Sequence, residues 1–101
     1  SNEYIPTPDN ILDYISKYYG IEKEIICGQQ RVKDAVAARQ IAMYLMRNLT
    51  NLPLKEIGEE FGGRNHATVL SSIRKVEELL KSDPEIAATV RDITSNINSK
   101  N

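Results

Sequence analysis

Ile57-Gly58-Glu59-Glu60-Phe61-Gly62-Gly63-Arg64-Asn65-His66-Ala67-Thr68-Val69-Leu70 is the stretch that decides the fold. It breaks into a short helix, a glycine turn and a longer helix. Leu54, Ile57 and Phe61 recur at spacings of three and four, the period of one helical face. Gly62-Gly63 stops that helix, because glycine takes positive φ at no steric cost. Asn65 can cap the next helix by accepting a backbone N–H. Val69, Leu70, Ile73, Val76, Leu79 and Leu80 then supply a stripe for burial. Two helices joined by a tight glycine turn make a helix-turn-helix candidate, whose second helix would enter a DNA major groove. The pattern alone equally describes an αα-hairpin in any helical bundle.

Working outward, the flanks are helical too. Thr7-Pro8 opens a first helix, with threonine as cap and proline where a missing N–H is harmless. Ile11, Leu12, Ile15, Tyr18 and Tyr19 form its apolar face, and Gly20 ends it. Ile21 to Gly28 reads as a short helical piece with Ile25 and Ile26 inward. Residues 29–33, Gln-Gln-Arg-Val-Lys, lack a period and read as a basic loop. A third helix runs from Asp34 to Leu49, with Ala38, Ile41, Ala42, Leu45 and Leu49 inward. Past the central hairpin, Asp83-Pro84 opens a last helix with Ile86, Val90, Ile93 and Ile97 as its stripe. The expected fold is all-α, a compact bundle of about six helices containing a helix-turn-helix. Residues 1–6 read as a linker end, with Ser1-Asn2 a tag remnant; residues 7–98 as the domain; and residues 99–101 as a frayed tail.

The chain has 101 residues, 41% hydrophobic, enough for one small domain with one core. No apolar run approaches the roughly 20 residues of a membrane span, and no signal peptide is visible, so a cytoplasmic, membrane-free protein is expected. A single cysteine, Cys27, rules out an internal disulfide and reads as a buried structural thiol in Ile25-Ile26-Cys27. One histidine and one cysteine, far apart, make no metal site. No phosphate-binding loop or dinucleotide fingerprint is present. Glu59 and Glu60 diverge by about 100° on a helix and solvate its outer face rather than pair. His66 has no adjacent nucleophile. Nothing here argues for an enzyme or a cofactor.

The formal net charge of −1 looks wrong for a nucleic-acid binder. Its distribution does not. Residues 31–47 carry Arg31, Lys33, Arg39 and Arg47 against Asp34 alone, a net +3. Residues 61–75 carry Arg64, Arg74 and Lys75 with no acid, another +3, so the remainder sums to −7. Such polarity can orient a protein on a polyanion. Arg39 and Arg47 lie within about 80° of each other around their helix and can face one partner.

Read as a string, Ile57-Gly58-x-x-Phe61-Gly62-Gly63-Arg64-Asn65-His66-Ala67-Thr68-Val69 resembles the signature of the DnaA family, the bacterial chromosomal replication initiators. The likeness extends through Ala38 to Leu45, Leu49-Thr50, Asp9-Asn10-Ile11 and Tyr18-Tyr19, and so covers nearly the whole chain. It concerns that family's C-terminal DNA-binding domain. The resemblance implies binding of duplex DNA at short A·T-rich boxes in the replication origin, in the nucleoid. It implies that residues 1–6 end the connection to a preceding ATPase domain, where ATP would bind, and that the full-length protein oligomerises on the origin while this domain is a monomer.

Carried over by position, the resemblance makes residues 65–80 the recognition helix, with Asn65, His66, Ala67 and Thr68 at its start and Leu70 further along near the DNA. Arg31 matches a basic-loop arginine that enters the adjacent minor groove, with Lys33 in the same loop. Arg39, Gln40, Arg47, Arg64, Arg74 and Lys75 fall on the DNA side, chiefly at the backbone. Two positions depart from the pattern: the family has aspartate at Asn65 and threonine at Ala67. Gln29 and Gln30 also replace residues that are basic in many members. Two other readings compete: a helical module that docks another protein, and a dimeric transcriptional repressor, although no heptad or extra apolar helix offers a dimer interface.

Overall fold

The computed structural model describes residues 5–99. Among them the chain forms Pro8–Tyr19 (α1), Lys23–Ile26 (α2), Lys33–Leu49 (α3), Leu54–Glu60 (α4), His66–Ser82 (α5) and Pro84–Asn98 (α6). The all-α, six-helix expectation holds. Local chemistry sets the ends. Thr7 and Asn10 cap α1 reciprocally, each side chain accepting from the other's backbone N–H, at 3.1 and 3.3 Å. Gly20 closes α1 in the left-handed region at φ 66°. Asp83 starts α6, its carboxylate accepting from the N–H groups of Glu85 and Ile86 at 3.0 and 3.2 Å, with Pro84 in the first turn.

α3 is the axis of the bundle. It packs against α1, α2, α4 and α5, and α6 closes the far side against α1 and α5. Ala35, Ala38 and Ala42 let its neighbours approach closely, while Ile41, Met43, Leu45 and Met46 fill the space between them. Ile11, Ile15, Ile26, Ile57, Phe61, Val69, Ile73, Val76, Ile93 and Ile97 complete one continuous core. Burying a side chain of this size contributes about 1.5–3 kcal/mol, so the core, rather than helix propensity, holds helices as short as α2 and α4.

Several details differ from the sequence-based expectation. Lys33 belongs to the first turn of α3, not to the loop, which shortens the irregular basic stretch to residues 29–32. Cys27 is half-buried rather than buried, and its partial burial pushes the thiol pKa up, with the nearby Glu60 charge adding to that effect. Leu49, Leu70, Leu79 and Leu80 are likewise half-buried. Residues 1–4 and 100–101, which include the expected tag remnant, lie outside the described residues. Pro6, expected in the linker, is buried against the domain.

Candidate nucleic-acid interface

The turn between α4 and α5 is built on the carbonyl of Gly58. That oxygen accepts from the backbone N–H groups of Phe61, Gly63 and Arg64 at 3.0, 3.1 and 3.1 Å. The bond from Gly63 is the six-to-one closure of a Schellman motif. It places Gly62, at C′, at φ 77°, and Gly63 follows at φ 84°; a side chain is strained at either. Phe61 is fully buried and pins the turn to the core. Gly58 is needed for a different reason: a Cβ there would overlap the Arg64 carbonyl oxygen. The sequence held a signal for this, a glycine inside a helical stretch where alanine is favoured.

The turn delivers α5 with its N-terminus open to solvent. Asn65 caps it, Oδ1 accepting from the Thr68 N–H at 2.9 Å, which leaves the Asn65 amide NH2 as the group facing outward. Asn65, His66, Ala67 and Thr68 are all exposed. The N–H groups of the first turn have no intrahelical acceptor. α5 has no acid in its first turn, whereas each of the other helices carries one. Its positive dipole end is therefore uncompensated. Behind it, Ala67, Leu70, Ser71, Arg74, Lys75 and Glu78 line a shallow concavity along one face of α5. Small side chains at Ala67 and Ser71 allow close approach, Leu70 gives an apolar surface, and Arg74 and Lys75 are exposed cations.

The other expected site residues divide into two groups. Arg31 is exposed in the loop, Gln40 is half-buried on α3, and Arg47 is exposed at the end of α3, reaching the Leu52 carbonyl at 3.4 Å. Arg39 and Arg64 are held by the fold, and Lys33, exposed, stands at the start of α3 rather than in the loop. Arg39 is buried: its Nε donates to the Ile26 carbonyl at 2.8 Å and its Nη2 to the Ile25 carbonyl at 3.1 Å. It ties α3 to α2, so Arg39 and Arg47 do not share an open face. Arg64 is half-buried: Nη1 donates to the Phe61 carbonyl at 3.0 Å, and Nη2 to the Gly28 carbonyl at 2.9 Å and to Gln29 Oε1 at 3.4 Å. Lys33 lines a cleft with Tyr18, Tyr19, Asp34, Asp83 and Glu85, on the side where α1, α3 and α6 meet. Desolvation holds the Arg39 pKa below its ordinary value, and the neighbouring Arg64 charge pushes the same way.

Two cations are thus drawn to the carbonyl oxygens around the end of α2, where the helix dipole is negative. The bonds from Arg64 bring residues 28 and 29 against the α4–α5 turn. Arg31 follows two residues after Gln29, exposed in the same loop. This neighbourhood joins a loop arginine, an open helix N-terminus and a stripe bearing Arg74 and Lys75. It offers anions directional N–H donors and offers base edges a set of short side chains.

The profile of a family described as "Bacterial dnaA protein helix-turn-helix" matches residues 8–76. The chain is 44% identical over 86 residues to the chromosomal replication initiator protein DnaA of Thermus thermophilus, covering 85% of this chain and 20% of that protein. The protein of the same name from Enterococcus faecalis is 43% identical over 89 residues, covering 88% and 20%. That from Mycoplasma capricolum is 48% identical over 86 residues, covering 85% and 19%. The chain spans about a fifth of the length of these curated relatives.

Proposed function

Because this chain belongs to the bacterial DnaA helix-turn-helix family, we propose that it binds double-stranded DNA sequence-specifically, at A·T-rich boxes of the bacterial replication origin. The observation that carries the proposal is the exposed, acid-free N-terminus of α5, followed by a stripe of short and cationic side chains. α5 enters the major groove with Asn65, His66, Ala67 and Thr68 toward base edges. Asn65 presents its NH2 to an acceptor, Ala67 meets a thymine methyl, and the Thr68 hydroxyl serves as donor or acceptor. Arg31 enters the neighbouring minor groove, where narrow A·T tracts concentrate negative potential. Arg74, Lys75 and Arg47 hold phosphates and set the register.

In this reading the chain is a binding module and not an enzyme. ATP, oligomerisation on the origin and location at the nucleoid in the cytoplasm belong to the full-length protein. The domain itself acts as a monomer. Among the described residues its exposed large apolar side chains, Ile5, Tyr18 and Val32, are scattered over three elements, and no helix is long and apolar enough to cross a membrane. Fluorescence anisotropy tests the reading. A duplex carrying an A·T-rich origin box should bind at least about a thousandfold more tightly than a scrambled duplex at the same salt. Equal binding to both overturns it, and a dimer in sedimentation would favour a repressor.

A further inference from the structure

Arg64 stands in the signature of the hairpin, yet its guanidinium points back into the fold. One fork nitrogen holds the Phe61 carbonyl at the end of α4 and the other holds the Gly28 carbonyl, with Gln29 Oε1 at 3.4 Å. These bonds span 35 and 36 residues of sequence. Among the described residues, no other side chain joins the 27–32 stretch to the α4–α5 hairpin by hydrogen bonds. Arg39 fixes the preceding carbonyls, Ile25 and Ile26, but to α3. Gly28 also packs tightly, its Cβ position lying 3.0 Å from the Glu24 carbonyl oxygen. The loop therefore has one anchor to each side: Arg39 holds the end of α2 to the core, and Arg64 holds the loop's first residues to the turn that starts α5.

We propose that Arg64 is a positioning residue: it sets where Arg31 stands relative to α5, and so couples the minor-groove element to the major-groove element without contacting DNA. The proposal rests on the DNA-binding reading above. A planar fork is suited to the task, because it can bridge two carbonyls in fixed geometry, which the single ammonium of lysine cannot. The energetic consequence is that Arg31 contributes to binding only while Arg64 holds the loop. Without it, the residues before Arg31 must be ordered at the moment of binding, which costs conformational entropy.

A double-mutant cycle tests this, with Arg31→Ala, Arg64→Gln and the double variant titrated onto the A·T-rich duplex over a salt series. Arg31→Ala should weaken the parent about tenfold, but should cost less than about twofold in the Arg64→Gln background. Arg64→Lys should behave like Arg64→Gln. The opposite pattern overturns the proposal: additive losses, rescue by lysine and a salt slope lowered by about 0.9, the signature of a phosphate contact. Backbone amide order parameters of the free protein give a second measurement. Residues 29–32 should lose order in Arg64→Gln while α5 keeps its own, and unchanged loop order overturns the proposal whatever the DNA data show. A parent that fails to distinguish the box from a scrambled duplex overturns the DNA reading and with it the coupling, while loss of loop order in the same variant would still establish the anchor.

Discussion

Gly58→Ala separates two lines of reasoning about the hairpin. Alanine is the better helix former by about 0.8–1 kcal/mol, so propensity alone says that the substitution stabilises α4. The structure says the reverse. The added methyl would sit more than an ångström inside ordinary contact with the Arg64 carbonyl oxygen, since a C···O approach is roughly 3.3–3.6 Å. The obstacle is backbone and cannot swing aside. Relief requires the peptide after Arg64 to retreat, carrying with it the Asn65 cap and the buried Val69, whose Cγ2 also lies 3.5 Å from the new methyl. Overpacking of this kind costs about 1–3 kcal/mol, and a weakened hydrogen bond to the Gly58 carbonyl adds about 1 kcal/mol. Set against the propensity gain, the net loss is about 2 kcal/mol, or a fall in Tm of roughly 8–16 °C for a domain of this size. Thermal and urea unfolding followed by circular dichroism measure it. Gly63→Ala is the control. Nothing lies within 4 Å of its Cβ position, and only its φ of 84° is unfavourable, a strain of about 1–2 kcal/mol. A Gly58→Ala protein as stable as the parent, or more stable than Gly63→Ala, would refute the close-approach argument.

Three further outcomes are expected. Arg31→Ala should cost about 1–3 kcal/mol on boxes with narrow A·T minor grooves and less on G·C-flanked ones; equal losses in anisotropy titrations would reduce it to a general phosphate contact. Lys75→Ala should weaken all duplexes alike and lower the salt slope by about 0.9, whereas Arg39→Ala should first lower Tm, because the buried Ile26 carbonyl bond is lost and the Ile25 carbonyl keeps only the Gly28 N–H. A changed slope at unchanged Tm would return Arg39 to the DNA surface. Asn65→Asp keeps a capping oxygen but exchanges the outward NH2 donor for an acceptor, so preference at the facing base should move from acceptors such as guanine O6/N7 toward the cytosine amino group. Identical profiles on a library with all four bases at each position would leave residue 65 as a cap alone.

Most of the architecture was legible because it depends on local chemistry. Thr7-Pro8, Gly20, Asp83-Pro84 and the three- and four-residue spacing of the apolar positions each act within a few residues of themselves. Gly62-Gly63 and Asn65 were legible for the same reason: a left-handed turn and a helix cap are properties of the residues that form them. The roles of the arginines were not. Arg39 and Arg64 were counted with Arg31 as surface charge, since a cation in a sequence reads as solvated. What withdraws them from the surface is the supply of carbonyl oxygens at the end of α2, a helix four residues long. Those acceptors lie 13 and 14 residues from Arg39, and as far as 36 from Arg64. Lys33 leaves the basic loop for a different reason: it forms the first turn of α3, at a cleft that Asp34 and Glu85 also line. The two positive blocks therefore include one buried arginine, Arg39, and one half-buried, Arg64. Arg31, Lys33, Arg47, Arg74 and Lys75 are exposed, Lys33 at the acidic cleft, whereas the guanidinium groups of Arg39 and Arg64 are taken up by backbone carbonyls.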